Sequence, residues 1–213
     1  MILDRIKTRR YLQKSYDILS AAYKKFAPRS MAVAWTGGKD STLLLWLVRT
    51  YSLKHSIAIP KIIFIDEGDI FLQVRHFVRR LTKDWSLDID VVQNTDVLRQ
   101  GSRIGEVVQV AKLSKENQKE LKRLGVKVKS FPFEPESYIG NHLMKTVALN
   151  SYLVKHNIAA VFTGIRWDEH EARSNETYFS SRQNPDHTRV HPILHFSESD
   201  VWRTIQIFKI PFV

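Results

Sequence analysis

The sequence predicts an α/β protein with a doubly wound, mostly parallel sheet and helices on both faces. Short apolar runs of strand length alternate with longer segments of helical periodicity. The first apolar run, Met31 to Trp35, leads into two glycines and then an apolar helical pattern. The chain has 213 residues, of which 43% are hydrophobic, and this suits one domain with a sizeable core. We therefore expect a single domain over residues 1–213.

The predicted elements follow the chain in order. Residues 1–28 form an N-terminal helical segment, because apolar side chains recur there at three- and four-residue steps. Strands are predicted at Met31–Trp35, Lys61–Asp66, Ile89–Gln93 and Ala159–Thr163, and helices after the two glycines, at Phe71–Leu81 and at Leu143–His156. Residues 94–135 are predicted to be a variable basic insertion. One exposed helix is expected within Lys112–Lys129, with Leu113, Leu121 and Leu124 on its inner side.

Charge and cysteine content limit the function classes. The formal net charge of +11 favours polyanionic partners such as nucleotides or RNA, and a solvated basic surface is the alternative. The absence of cysteine excludes disulfides, thiolate metal sites and cysteine-based redox chemistry within these residues. No apolar run approaches the ~20 residues that span a bilayer, and the start of the chain lacks a signal-peptide core. We therefore expect a cytoplasmic protein with no membrane partner.

The stretch W-T-G-G-K-D-S-T, from Trp35 to Thr42, is the first candidate site. A strand, a glycine turn and a helix start bring backbone N–H groups and the positive end of a helix dipole to one point. Two glycines allow a bulky anion to approach, a lysine adds a cation, and hydroxyls add donors. The residues concerned are Thr36, Gly37, Gly38, Lys39 and Ser41. The stretch predicts a phosphate site, although it is not a P-loop, because Asp40 follows the lysine and the upstream glycine is absent.

Polar residues also follow two other predicted strands. Asp66 ends the second strand, at the edge where open α/β sheets bind ligands. Charged residues crowd together after the fourth strand and continue downstream: Arg166, Asp168, Glu169, Glu171, Arg173, Arg182 and Arg189. Arginine grips phosphate or sulfate in a bidentate way, and a carboxylate can orient the arginine or hold Mg²⁺ carried by ATP. A surface salt-bridge network is the alternative interpretation of this cluster.

Thr36–Ser41 resembles the SGGKDS signature of the PP-loop ATP pyrophosphatase superfamily, with Thr36 in place of the leading serine. Gly164–Glu169 (G-I-R-W-D-E) resembles the GxRRDE motif of its PAPS reductase-like branch. Further stretches resemble that branch in the same order: His142 with Met144-Lys145-Thr146, Glu171–Arg182, Arg189–Ile193 and Asp200–Trp202. The resemblance covers about Tyr11 to the end of the chain. It implies an adenine nucleotide alpha hydrolase-like, Rossmann-like fold and cleavage of ATP between its α and β phosphates.

Within that branch the motifs look most like the small subunit of ATP sulfurylase. This resemblance implies that sulfate attacks ATP to give adenylyl sulfate and pyrophosphate, and that a GTPase large subunit is a partner. Three alternatives stay open: a PAPS or APS reductase-family protein without reductase activity, an FMN adenylyltransferase of the FAD synthetase type, and a non-catalytic nucleotide- or RNA-binding protein. Trp167 stands in place of the second arginine of the motif, which weakens a two-arginine grip on an oxyanion. An oligomer is compatible with the sequence.

The residue chemistry and the resemblance together predict three groups of site residues. The catalytic group is Lys39, Arg166 and Asp168, in which Lys39 stabilises charge on the phosphates and Asp168 orients Arg166. The nucleotide-binding group is Thr36, Gly37, Gly38, Asp40, Ser41, Asp66 and Gly164. The group for the acceptor, a small oxyanion or a nucleotide, is Lys145, Arg173 and Arg182. The cofactors expected are ATP and Mg²⁺, with the metal carried by ATP near Asp40 rather than bound by protein alone.

Overall fold

The structure is a computed structural model that describes residues 2–169 and 171–213. The chain divides into two compact units. The first unit contains the chain as far as Phe64, then Gln73–Asp90, then the chain from His156 onward. The second unit contains Ile65–Leu72 and Val91–Lys155, and so includes the predicted insertion at residues 94–135. In the part of the chain that is described, no helix has both the length and the apolar character that crossing a membrane requires.

Eight strands and a series of helices make up the described chain. The strands are β1 (Met31–Trp35), β2 (Lys61–Ile65), β3 (Ile89–Val92), β4 (Val107–Gln109), β5 (Ser130–Pro132), β6 (Ala160–Phe162), β7 (Phe179–Arg182) and β8 (His187–Val190). The α-helices are α1 (Ile2–Lys25), α2 (Lys39–Lys54), α3 (Leu72–Asp84), α4 (Thr95–Leu98), α5 (Lys115–Arg123), α6 (Tyr138–Asn141), α7 (Ala148–Lys155) and α8 (Glu198–Phe208). A π-helical turn, His142–Val147, joins α6 to α7. Short 3₁₀ turns occupy Pro28–Ser30, Val110–Lys112 and Glu171–Arg173.

Six strands form one sheet in the order β3-β2-β1-β6-β8-β7. Strand β1 runs parallel to β2 and to β6, β6 runs parallel to β8, and β7 is antiparallel to β8. The predicted α/β class with a mostly parallel sheet flanked by helices is therefore confirmed, and the antiparallel β7–β8 pair is an addition to it. Strand order reverses at β1, because β2 lies on one side of it and β6 on the other. Open sheets bind ligands beyond the carboxyl ends of the strands at such a switch point.

The core of the first unit forms around β1 and α2. Strand β1 is an apolar run that pairs on both edges, and Met31, Val33 and Trp35 have no exposed surface. Helix α2 presents leucines on several faces, and those from Leu43 to Leu47 are fully buried. Burial on several sides fixes α2 against the sheet, because each such side chain contributes about 1.5–3 kcal/mol when removed from water. The loop between β1 and α2 is therefore anchored at both ends.

The second unit has its own small core. The antiparallel β4–β5 pair, α5 and the α6–π–α7 segment enclose buried apolar side chains: Val97, Val108, Leu113, Leu121, Phe131, Phe133, Leu143, Met144 and Val147. The helix predicted within Lys112–Lys129 is present as α5, and two of its three expected inner leucines are buried, whereas Leu124 is half-buried. The β4–β5 pair and α4 were not predicted. The helix predicted at Leu143–His156 is a π-helical turn followed by α7.

Candidate active site

The loop Thr36–Ser41 leaves the amino end of α2 open. Gly37 has a φ of +80°, and a Cβ there would lie 2.7 Å from Cγ1 of Val74, so both backbone conformation and space require glycine. Gly38 is the N-cap residue of α2, and no side chain caps the helix. The first N–H groups of an α-helix have no partner within the helix. The amino end of this buried, 16-residue helix thus presents backbone N–H groups and a positive dipole end, which is chemistry that suits an anion.

Hydroxyl groups hold the loop in shape. Oγ of Ser41 accepts a hydrogen bond from the Thr36 backbone N–H at 3.2 Å and lies 3.0 Å from Oγ1 of Thr36. The same Ser41 hydroxyl is 3.0 Å from the carbonyl oxygen of Gly38, to which it donates. Nε1 of Trp35 donates to Oγ1 of Thr42 at 3.0 Å. The loop is therefore preorganised, and Ser41 must give up its bond to Gly38 before it can donate to a phosphate.

A cavity of about 260 Å³ lies between the carboxyl ends of β1 and β6. It is lined by Ala34, Thr36, Gly38, Asp40, Ser41, Thr163, Gly164, Ile165 and Glu169. A Cβ on Gly164 would lie 3.0 Å from the backbone C and O of Asp40 and from N of Ser41, so this glycine brings the end of β6 against the first turn of α2. The volume is slightly below the roughly 300–1,000 Å³ of sites for whole small ligands. The cavity therefore suits part of a nucleotide.

Arg166 follows β6 and is only 4% exposed. Its Nη1 pairs with Oδ1 of Asp40, its Nε donates to Oδ1 of Asp168 at 2.8 Å, and Nη1 lies 3.9 Å from Glu169. The structure thus brings the predicted Arg166 to the predicted loop through Asp40. Asp168 also accepts from the backbone N–H of Glu198, the first residue of α8, at 2.7 Å. Two carboxylates therefore fix the orientation of a buried guanidinium.

Lys39 is held between two carboxylates. Its Nζ lies 3.2 Å from Oδ2 of Asp40 and 3.2 Å from Oε1 of Glu198. Burial lowers the pKa of Lys39, but hydrogen bonds and charge from Asp40 and Glu198 outweigh burial, so the net shift of the pKa is upward and the amine stays charged. Glu198 was not among the predicted residues. Its only signal in the sequence is its place beside the N-cap Ser197 of α8.

Both carboxylate oxygens of Asp40 accept from cations, one from Arg166 and one from Lys39. Within residues 2–169 and 171–213, no group of three or more His, Cys, Asp or Glu side chains could hold a metal ion. Around the loop, both oxygens of Asp40 are already engaged by cations of the protein. A carboxylate that braces two cations is the role that the geometry gives Asp40.

A second cluster, the arginine cluster, consists of Arg173, Arg182 and Arg189 around Glu176. Arg182 pairs with Oε1 of Glu176, and Arg173 lies 3.5 Å from Glu169. Nε of Arg189 is buried without a hydrogen-bond partner, whereas Nε of Arg173 has only the 3.5 Å ion pair with Glu169. Burial, together with the charge of Arg182 and of Arg173, lowers the pKa of Arg189. Guanidinium groups that lie close together and keep an unpaired N–H donor favour the binding of an anion between them.

Trp167 lies next to this cluster. Its Nε1 donates to the backbone carbonyl of Glu176 at 2.9 Å, and its own N–H donates to the carbonyl of Leu194 at 3.0 Å. The indole ring packs 5.6 Å from the ring of Tyr178 and remains 41% exposed. The position that holds an arginine in the GxRRDE motif thus holds an anchored, partly exposed aromatic side chain.

The other two predicted residues, Asp66 and Lys145, belong to the second unit. Asp66 is buried, and its carboxylate accepts from the Gly68 N–H at 2.9 Å and from Nε2 of Gln93 at 3.0 Å. Lys145 lies in the π-helical turn and pairs with Glu67 at 3.0 Å. Burial raises the pKa of Glu67, although Lys145 acts in the opposite direction. The nucleotide and acceptor roles of Asp66 and Lys145 stay predictions.

Comparison with known proteins gives concordant results. A family model described as the phosphoadenosine phosphosulfate reductase domain matches residues 30–213. Sulfate adenylyltransferase subunit 2 of Rhizobium meliloti (strain 1021) is 26% identical over 204 residues, which are 85% of this chain and 58% of that protein. The chain thus spans little more than half the length of the curated relatives that it matches.

Two solved structures share the fold. Candida glabrata FMN adenylyltransferase in complex with ATP superposes with a TM-score of 0.62 at 19% identity, over 92% of this chain and 54% of that chain. The phosphate complex of phosphoadenylyl-sulfate (PAPS) reductase from Candida auris gives a TM-score of 0.63 at 15% identity, over 93% and 81% of the two chains. At these identities the similarity shows the fold alone.

Proposed function

The chain belongs to the phosphoadenosine phosphosulfate reductase domain family, and on that premise we propose that it transfers the adenylyl group of ATP to an anionic acceptor. In this reaction an acceptor oxygen attacks the α-phosphorus, the bond from that phosphorus to the bridging oxygen breaks, and pyrophosphate leaves. The observation that carries the proposal is the open amino end of α2, beside which Asp40 joins Lys39 to Arg166.

The departing pyrophosphate is assigned to the loop. Gly37 and Gly38 offer backbone N–H groups, and Ser41 offers a hydroxyl once it leaves the carbonyl of Gly38. Lys39 neutralises charge that develops on the leaving group, an effect that is strongest where water is excluded. No covalent intermediate with the protein is required, because phosphoryl chemistry of this type depends on positioning and charge.

The acceptor is assigned to the arginine cluster. Arg173, Arg182 and Arg189 provide guanidinium groups, and Nε of Arg189 is buried without a hydrogen-bond partner. Sulfate is the acceptor that we favour, since the curated relatives are named sulfate adenylyltransferase subunit 2. Sulfate carries oxygen atoms that already bear negative charge, so its attack needs no general base. That agrees with His191, the histidine beside the cluster, being buried rather than exposed to substrate.

Magnesium is assigned to ATP rather than to the protein. Asp40 has both oxygens in ion pairs, so a metal ion is better held by the phosphates and by water, as Mg²⁺ usually is in nucleotide sites. When bound, the metal ion supplies positive charge near the phosphates. The residues of the chain then contribute the fixed geometry, with Asp168 and Asp40 orienting Arg166.

Pyrophosphate release tests the proposal. The protein is incubated with ATP, Mg²⁺ and sulfate, and pyrophosphate and adenylyl sulfate are measured, with selenate-free, sulfate-free buffer as the blank. Equal amounts of both products are expected. If ATP binds but no acceptor supports release, the chain is a nucleotide-binding protein without this activity. A third outcome is that the protein does not bind ATP but binds RNA, with an affinity that falls steeply as the salt concentration rises. In that case the basic surface binds nucleic acid instead.

FMN is the second candidate acceptor, and Trp167 is the observation that favours it. An anchored indole with 41% of its surface exposed offers a stacking face for a flat ring, and the adjacent arginines offer donors for a phosphate. Release of pyrophosphate with FMN and formation of FAD, with none in sulfate, would support this acceptor over sulfate.

The curated relatives are named as one subunit of an enzyme. We therefore also propose that the chain acts together with a second polypeptide, for which a GTPase large subunit is the expectation from the sequence. Light scattering of the chain alone and mixed with such a subunit would show whether a complex forms. An unchanged mass on mixing would refute this partner.

A further inference from the structure

A buried histidine contacts a residue that lines the cavity between β1 and β6. His191 has no exposed surface, and its Nδ1 lies 2.6 Å from Oγ1 of Thr163. Thr163 lines the cavity together with Gly38, Ser41 and Gly164. Neither His191 nor Thr163 takes part in the chemistry described above. A hydrogen bond of this length between a buried imidazole and a cavity hydroxyl determines which way that hydroxyl points.

Glu176 determines which imidazole nitrogen carries the proton. Nε2 of His191 has no hydrogen-bond partner and lies 3.6 Å from Oε2 of Glu176. A lone pair on Nε2 would face a carboxylate and be repelled, whereas an N–H there is attracted. The proton is therefore placed on Nε2, which leaves Nδ1 as a hydrogen-bond acceptor. Thr163 must then donate its own hydroxyl proton to Nδ1.

Burial, more than the surrounding charges, keeps this imidazole neutral. Burial lowers the pKa of His191 to about 4; Glu176 opposes this effect, and the arginine cluster (Arg182, Arg189 and Arg173) adds to it. A neutral imidazole has one acceptor nitrogen, and a doubly protonated ring has none. Neutrality at pH 7 is therefore the condition under which Nδ1 can accept from Thr163.

We propose that Glu176, His191 and Thr163 form a relay that fixes Oγ1 of Thr163 as a hydrogen-bond acceptor facing the cavity. The hydroxyl donates its hydrogen bond to His191, so Oγ1 can only accept a hydrogen bond from a ligand. Thr163 therefore selects a nucleotide that places an N–H or O–H donor at this point. The inference rests on the proposed function, because the ligand in question is ATP. Two groups of ATP have this chemistry, the amino group of adenine and the hydroxyls of ribose.

Equilibrium binding with the substitution Thr163→Val tests the relay. Valine has nearly the size of threonine without the hydroxyl, so the fold is retained, and thermal unfolding checks this. Dissociation constants are measured for ATP, ITP, 2′-deoxyATP and 3′-deoxyATP. The intact protein is expected to bind ATP ~3–10-fold more tightly than the one analogue that lacks the recognised donor, as one hydrogen bond provides. If ITP is the analogue that binds more weakly, the recognised donor is the amino group of adenine. If a deoxynucleotide binds more weakly, the donor is the hydroxyl that it lacks.

Thr163→Val is expected to lose the preference for ATP over that one analogue. For the other two analogues it is expected to keep the ratios of dissociation constants that the intact protein has. If Thr163 had only a structural role, the substitution would weaken the binding of all four nucleotides to the same extent. If Thr163→Val keeps every preference of the intact protein, the inference is refuted while the proposed function stands. If the intact protein binds no ATP, the proposed function is refuted and the inference falls with it.

Two substitutions at His191 test the relay itself. His191→Asn retains an acceptor close to the position of Nδ1, whereas His191→Phe retains only the ring volume. The asparagine variant is expected to keep at least half of the preference in free energy, and the phenylalanine variant to bring the ratio of dissociation constants to within about twofold of one. An unchanged preference in His191→Phe would overturn the role of His191, as would an asparagine variant that behaves like phenylalanine.

Discussion

The substitution Gly164→Ala tests whether the end of β6 sets the position of the Thr36–Ser41 loop. A Cβ at Gly164 would lie 3.0 Å from three backbone atoms of Asp40 and Ser41, in the first turn of α2. Carbon atoms at ordinary contact lie about 3.5–4.0 Å apart, so the helix start must move by roughly 0.5 Å or more. Backbone atoms cannot rotate out of the way as a flexible side chain can.

The expected cost follows from overpacking. An added methyl group in a well-packed region costs about 1–3 kcal/mol, and for a chain of this length each kcal/mol shifts Tm by about 2–4 °C. Gly164→Ala is therefore expected to lower Tm by about 2–12 °C. The matched control is Gly38→Ala, where φ is −71° and the nearest atom to a Cβ lies 3.6 Å away. At this N-cap position the lower flexibility of the unfolded chain is offset by the weaker N-cap preference of alanine, so stability is expected to change by less than ~1 kcal/mol.

The assay combines thermal unfolding with ATP titration. Because the moved atoms belong to the open amino end of α2, Gly164→Ala is also expected to raise the Kd for ATP by about tenfold, a loss of ~1.4 kcal/mol. Larger side chains at residue 164 should increase both effects in order of size. If Gly164→Ala has the Tm and the ATP affinity of the unchanged protein, the close packing of β6 on α2 does not position the loop.

The remaining predictions concern charge and acceptor choice. Lys39→Ala should reduce the turnover of pyrophosphate release about 10²–10³-fold, whereas Lys61→Ala, on β2, should not; equal rates would exclude the role of Lys39. Trp167→Arg should increase sulfate-dependent release and decrease any FMN-dependent release, and no change in the ratio would remove Trp167 from acceptor selection. For His191, the pKa in the folded chain is lowered from 6.5 to about 4. Its contribution to stability is thus complete above pH 6.5 and is lost as the pH falls towards 4, by at most about 3 kcal/mol. In urea unfolding between pH 7.5 and 4.5, the free energy of unfolding should fall less for His191→Phe than for the unchanged protein. Equal falls in the two proteins would contradict this prediction.

The sequence predicted the local structure around the Thr36–Ser41 loop well because its signals are local. Strand β1 was predicted from Met31 to Trp35 and has those limits, since a strand buried on both faces reads as one apolar run. The sequence predicts positive φ at both glycines of this turn; Gly37 has it, at +80°, whereas Gly38, the N-cap of α2, has a φ of −71°. Each of these features depends on residues within a few positions of one another.

The parts that were missed depend on contacts between distant residues. Strands β7 (F-S-S-R) and β8 (H-T-R-V) are mostly polar and contain no apolar run, so their pairing with each other decides their structure. Strands β4 and β5 have only three residues each, which is too short for periodicity to show. His191 and Thr163 are 28 residues apart, and Lys39 and Glu198 are further apart still. Only the pairing of β6 with β8 brings the first pair together.

The charge balance of the site explains why Mg²⁺ belongs with ATP in this proposal. Among the described side chains that pair around the loop, four carboxylates outnumber three cations: Asp40, Asp168, Glu169 and Glu198 against Lys39, Arg166 and Arg173. A metal-free triphosphate entering this cluster would meet carboxylates that already occupy the cations. A magnesium complex of ATP carries less negative charge, and the metal adds the cation that the protein lacks. Under the proposed function we therefore expect ATP to enter this part of the site as its magnesium complex.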